Sequence, residues 1–338
     1  MAGIVSEKQY LFAEGQPFQS SHASTLALLP DGGTAAAWFA GSYEKSSDVA
    51  IWMALRGNGV WSAPFKAADE EGIAHWNPVL LPLEDKLLLF YKVGHEITDW
   101  STRFTVSRDG GRTWSEPREL VPGDVGGRGP VRCKPIVLPD GTIAAPASVE
   151  RHDPDAPGKQ IWEAFVDLSS DGGVTWTKSA PVPMDLESYV GTRHWFARGL
   201  IQPTLWSSGG SRVHMLLRST EGWIYRSDSE DNGRTWCEAY PTTLPHNNSG
   251  IDVTRMENGT LALIFNPVRG YSTESPRTPL VIRFSNDNGE TWEDEVVLEN
   301  EPGEYSYPAI VSKGRTLYVT YTWKRDRIAF WTLTLPDE

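Results

Sequence analysis

Cysteine is almost absent: Cys133 and Cys237 are the only two in 338 residues. They form no C-x-x-C pair and stand at no metal-like spacing with histidine, which excludes a disulfide framework and a structural zinc site. No metal ion and no cofactor is expected. Basic charge is also in short supply. With 31 Lys and Arg against 44 Asp and Glu, the formal net charge is −13. Such a diffuse field repels phosphate, so neither nucleic acid nor an anionic membrane is expected as a partner. No stretch approaches the ~18 apolar residues that span a bilayer. The opening segment MAGIVSEKQYLFAEG lacks a basic region followed by an apolar one, so the chain is expected in the cytoplasm; one trimmed of a secretion leader would read the same. Amphipathic helical periodicity is missing too. The apolar runs last only 4–8 residues between Gly and Pro, which favours strands.

What is present is repetition. The octapeptide SRDGGRTW (Ser107 to Trp114) returns as SSDGGVTW, SEDNGRTW and SNDNGETW, placing Asp109, Asp171, Asp231 and Asp287 62, 60 and 56 residues apart. A degenerate copy, RGNGVWSAP, puts Trp61 53 residues before Trp114. A second series is out of phase with the first. Six times an apolar run, a turn and another apolar run follow one another, as in STLALLPDGGTAAAWF and DVTRMENGTLALIFN. Asp-Gly and Asn-Gly between apolar segments read as β-hairpins, since Gly supplies the positive φ of tight turns. Hydrophobic residues make up 39% of the chain, with 15 Trp, ample for one large core. Six units of roughly 50 to 60 residues, each of about four strands, predict an all-β, six-bladed β-propeller of antiparallel blades in a single domain over residues 1–338. The segments QYLFAEG and IAFWTLTL, near the two termini, are expected to complete one blade together.

Within the octapeptide, Ser and Asp can bond the backbone of their own turn, and the Gly positions tolerate left-handed conformations. The expected role is a stabilised outer turn. Calcium binding is not expected, because the further ligands it needs are missing. In a propeller the inner strands gather around one axis, and ligand chemistry concentrates at their starting ends. Aligning the six inner strands places His22, Asn77, Lys134, Gln202, Asp252 and Tyr307 there, with Tyr305 just before the last. The returning strands add Lys92, Glu150 and His152, Arg218 and Arg325 at the same mouth.

The S-x-D-x-G-x-x-W repeats on a six-unit β chain resemble the Asp boxes of the sialidase (neuraminidase) superfamily, and the likeness covers nearly the whole chain. That resemblance implies a carboxylate held by three arginines, a Tyr nucleophile activated by a Glu, and an Asp acid/base, an exception to the two-carboxylate scheme. By position it implies Tyr305 as nucleophile, Arg218 and Arg277 as two of the arginines and Asp48 as the acid/base. Two positions depart from the pattern: His22 stands in place of the first arginine, and no carboxylate falls near Leu200, where the activating Glu belongs.

Arg218 and Arg277 can clamp a carboxylate, and His22 or His75 can act as general acid or base near neutral pH. Trp76, Trp100 and Trp195 can stack on sugar rings. The expectation is therefore a sialidase-like glycoside hydrolase acting on a terminal acidic sugar, sialic or uronic, of a glycan. The alternatives are a uronate-directed polysaccharide lyase on the same propeller and a carbohydrate-binding propeller without turnover.

Overall fold

In the computed structural model of the protein, which describes residues 3–187, 196–270 and 276–336, every regular element is a β-strand. The predicted hairpins form where Gly turns separate the apolar runs, and they assemble into six groups in chain order. The first pairs Ser20–Leu28, Thr34–Gly41 and Ala50–Gly57, with Val60–Trp61 and Phe65–Ala68 both on the last of these. The second runs His75–Pro82, Leu87–Val93, Ser101–Ser107 and Arg118–Glu119. The third (Ile136–Val137, Ile143–His152, Gln160–Ser169, Thr177–Lys178) and fourth (Ala197–Gly209, Arg212–Ser219, Trp223–Ser229, Tyr240–Pro245) are joined by a short parallel pairing of Gln160–Trp162 with Ala197–Gly199. The fifth is Asp252–Arg255, Leu261–Phe265, Leu280–Ser285 and Glu293–Glu299. In the sixth, Tyr305–Lys313, Thr316–Trp323 and Arg327–Thr334 are completed by the N-terminal strand Val5–Tyr10, in register from Val5 opposite Thr334 to Tyr10 opposite Ala329.

The hydrophobic core lies between consecutive groups. Leu80, Leu89 and Tyr91 of the second group pack on Ala37, Ile51 and Met53 of the first. Ile264 and Ile282 of the fifth meet Ile310 and Val319 of the sixth, and Ile328 and Phe330 of the sixth meet Leu26 and Trp38 of the first.

Each octapeptide folds as the predicted turn. Ser107 Oγ accepts from Gly111 N at 2.7 Å and donates to Asp109 Oδ1 at 2.8 Å. Asp109 in turn accepts from Arg112 N, Thr113 N and Thr113 Oγ1 at 3.0, 2.9 and 2.6 Å. The same bonds from the Thr amide and hydroxyl recur at Asp171, Asp231 and Asp287. The tryptophans that follow pack against the cores between groups.

One backbone device recurs at the start of four inner strands. The antiparallel register slips between His22 and Thr25, Trp76 and Val79, Ile201 and Thr204, and Ser306 and Ala309. At each slip one non-glycine residue takes a positive φ: Ala23 55°, Asn77 41°, Gln202 51° and Tyr307 51°. Such a β-bulge re-aims a side chain, and a non-glycine residue held in this region costs free energy that the surrounding structure must offset. Three of the four precede proline.

Candidate active site

Three of these bulges aim their side chains into a cavity of about 900 Å³ lined by Asn77, Gln202 and Tyr307 together with Glu150, Arg218 and Arg277. Tyr307 stands at the centre of the charged cluster. Its hydroxyl accepts from Arg218 Nη1 at 3.1 Å, and the guanidinium carbons of Arg132, Arg277 and Arg218 lie 5.3, 5.6 and 5.8 Å from its ring centroid. Burial by itself pushes the phenol up, but Arg218 and Arg277 outweigh it and draw Tyr307 below its ordinary value, with Glu44 opposing them. A phenol so placed gives up its proton more readily than one in water.

Arg218 is fixed from behind. Its Nε and Nη2 donate to Asn248 Oδ1 and O at 3.2 and 2.6 Å, and its Nη1 donates to Gln202 Oε1 at 2.7 Å. Arg277 Nη1 donates to Glu304 Oε1 at 2.7 Å and to Ser306 Oγ at 3.2 Å. Arg325, also on the wall, meets both Glu304 oxygens at 3.1 and 3.0 Å and Glu44 Oε2 at 2.5 Å. Glu150, at the end of its hairpin's returning strand, has its carboxyl raised to about 7, chiefly by burial and against the pull of Arg218. It therefore keeps a proton near neutral pH. Trp76 and Trp100, packed edge to face, form an apolar wall that Trp162 extends.

Of the residues singled out by sequence, the structure brings Asn77, Gln202, Tyr307, Arg218, Arg277 and Arg325 together on this cavity, with Glu150, His152, Trp76 and Trp100 also on its wall. Tyr305, Asp48, His22, His75, Lys134, Asp252 and Lys92 are not part of that wall. Tyr305 is 1% exposed and packs with Ile310, Val319 and Tyr321 in the core between the fifth and sixth groups. Residues two apart on a regular strand share a face; the slip after Ser306 breaks that alternation, so Tyr307 and not Tyr305 reaches the cavity. Asp48 sits exposed on the loop after the first hairpin, its carboxylate held by Ser42 N and Oγ, and is not part of the wall. The same loop supplies Glu44 instead.

His22 lies one layer behind, its ring 4.3 Å from that of Tyr307. Its Nδ1 is bonded to Thr322 Oγ1 at 2.9 Å, and burial, reinforced by Arg325, Arg277, Arg132 and Arg218, holds it well below its usual titration range. It is thus a neutral support for Tyr307, without access to a ligand in the cavity. His75 is likewise buried, between Glu70 N and the carbonyls of Val49 and Ile73. Lys134 and Asp252 are ion-paired at 2.8 Å, with Asp252 also bonded to Thr204 Oγ1 and Ile310 N, so both are committed to joining inner strands. Fully buried Lys92 donates to Thr102 Oγ1 and Arg128 O at 2.6 and 2.8 Å, and burial lowers it to about 7. Trp195 lies outside the described residues.

Sequence reasoning did not single out Arg132, Glu304 or Glu44, and it left Glu150 among the loop polars. Arg132, two residues before Lys134, carried a usable signal. It lies under Tyr307, donating to the carbonyls of Ile251 and Pro308.

A model of the BNR repeat-like domain matches residues 32–319, and no curated protein matches the chain. Among solved structures, a Dyadobacter fermentans protein of unknown function superimposes with a TM-score of 0.79 at 15% identity, covering 99% of this chain and 100% of that one. A Trypanosoma rangeli sialidase in complex with 2,3-difluorosialic acid, a covalent intermediate, gives 0.72 at 13% identity and covers 97% of this chain, which spans 58% of that protein. The NanB sialidase of Streptococcus pneumoniae gives 0.73 at 13% identity, with coverages of 96% and 70%. At these identities the likeness is one of fold.

Proposed function

The chain belongs to the BNR repeat-like domain family, and from that footing we propose that it is a sialidase-like glycosidase that hydrolyses an O-glycosidic bond in the cavity, with Tyr307 and Glu150 as the reacting groups. We further propose that the six strand groups are blades closed into one ring. The cores between consecutive groups, the last and first included, support that closure.

The observation that carries the reading is Tyr307 at the centre of three guanidinium groups, with its hydroxyl on Arg218 at 3.1 Å. In the proposed reaction the Tyr307 phenolate, stabilised by Arg218 and Arg277, attacks the anomeric carbon while the glycosidic C–O bond breaks. The leaving oxygen takes its proton from Glu150. Water then attacks the tyrosyl glycoside, losing a proton to the Glu150 carboxylate, and the phenolate is regenerated. A covalent intermediate in the Trypanosoma rangeli sialidase is a precedent on the same fold.

The test is turnover of chromogenic glycosides by the full chain. Tyr307→Phe is expected to lose about 10²–10⁴-fold in kcat while keeping the wild-type circular dichroism. Turnover at the wild-type level would remove Tyr307 from the chemistry. A product absorbing in the near ultraviolet, in place of a new reducing end, would assign β-elimination of a uronate instead.

A further inference from the structure

We infer that the sugar received by this cavity is uncharged, because the protein's own carboxylates already occupy its arginine clamp. The inference rests on the reading of the cavity as the glycosidase site.

Glu304 sits between Arg277 and Arg325 as a substrate carboxylate would. It accepts from Arg277 Nη1 at 2.7 Å, from Arg325 Nε at 3.1 and 3.0 Å across its two oxygens, and from Ser306 Oγ at 2.9 Å. Glu44 takes Arg325 Nη1 from the other side. Arg218, the third guanidinium on the wall, has four of its donors placed on Asn248, Gln202 and Tyr307, out of the five that an arginine carries. Its task is to hold the phenol, with a single N–H to spare.

The charges on the wall agree with this. Among the described lining residues, the carboxyl groups are Glu44, Glu96, Asp99, Glu150 and Glu304, against Lys45, Arg218, Arg277 and Arg325. Lys45 is itself 3.2 Å from Glu96. With Glu150 keeping its proton, four carboxylates face four cations, so the wall holds no surplus of positive charge for an acidic sugar, inside a chain of net charge −13. An acidic sugar entering here would meet like charge at Glu304 and would have to break two ion pairs to reach the arginines, an electrostatic mismatch that discriminates against it. A neutral sugar meets hydroxyl-matching groups without that penalty. The amides of Asn77 and Gln202 can donate to hydroxyls, and the oxygens of Glu44 and Glu304 can accept from them.

The test uses matched 4-nitrophenyl glycosides in both anomers, glucoside against glucuronide and galactoside against galacturonide, together with a 4-methylumbelliferyl sialoside. Wild type is expected to favour the neutral member of its preferred pair by about tenfold or more in kcat/KM. Glu304→Gln, which removes the clamp's own negative charge, is expected to narrow or reverse that ratio by about tenfold; Glu44→Gln, which removes a charge only from Arg325, should act in the same direction and serves if the first variant does not fold. A wild type that favours the acidic member, or a ratio unmoved in folded Glu304→Gln and Glu44→Gln, overturns the inference even while Tyr307→Phe is inactive and the glycosidase reading stands. If nothing is hydrolysed, that reading fails. The shift of melting temperature with the free neutral and acidic sugars then decides the charge preference alone, a larger shift with the acidic sugar, or none with either, overturning it.

Discussion

Two carboxyl groups in this cavity are driven in opposite directions by their surroundings. Glu304 lies below its ordinary range because Arg277 and Arg325 outweigh its burial. Glu150 is raised from 4.5 to about 7 because burial outweighs Arg218. That contrast separates a carboxylate held charged by its arginines from a carboxyl that keeps its proton toward neutral pH, the difference the proposed roles need. It also sets a pH dependence. A carboxyl whose folded pKa is raised favours the folded state while protonated and loses that advantage as pH climbs through the raised value. Wild type should therefore lose stability relative to Glu150→Gln as pH rises from about 4.5 to about 7, as read by urea midpoints at each pH. Parallel midpoints across that window would contradict the assignment. A second comparison belongs at this scale. Tyr305→Phe, in the core, should retain turnover that Tyr307→Phe loses.

The octapeptide turn is the repeated element, and its aspartate does the same local work each time. Asp171 accepts from Val174 N, Thr175 N and Thr175 Oγ1, so Asp171→Ala leaves turn donors to water. The expected loss is about 1 kcal/mol, as for removal of a helix-capping side chain, seen as a melting temperature lower by a few degrees with kcat unchanged. A fall in kcat without a fall in stability would place the turn in the chemistry. Hydrogen bonds from Thr, Ser and backbone amides hold Asp109, Asp171 and Asp287 below the usual carboxylate range. The stability they add is present above pH about 4 and is lost as the medium becomes more acid. The inner-strand bulge is the other repeated element, and it shapes the cavity instead: it turns Asn77, Gln202 and Tyr307 onto one wall at the cost of a positive φ at each.

At the scale of the molecule, the strand Val5–Tyr10 covers the edge of Arg327–Thr334 and joins the two ends of the chain in one sheet. Removing residues 1–10 would uncover that edge, and exposed edges template association. The truncated chain is expected to melt several degrees lower and to elute partly as higher oligomers in size-exclusion chromatography. An unchanged melting temperature would show that the pairing contributes little.

How much of this could be read beforehand follows from the range of the interactions. The sequence by itself determined the all-β class, the outer turns and the hairpins, because the bonds of Asp109 reach only four residues along the chain and leave a period of about 60 that any reader can count. It also pointed to the strand starts, and hence to Gln202 and Tyr307, to Arg218 on a returning strand and, through the family resemblance, to Arg277. Only the tertiary structure decided between Tyr305 and Tyr307, since the register slip after Ser306 put the two on different faces. The same holds for the placement of Glu150 on the cavity, which Asp48 does not line, and for Glu304, whose pairing with Arg325 joins a strand start to the turn after the next strand. Their chemistry comes from burial and from charges that the fold brings close, and neither quantity is written in local sequence.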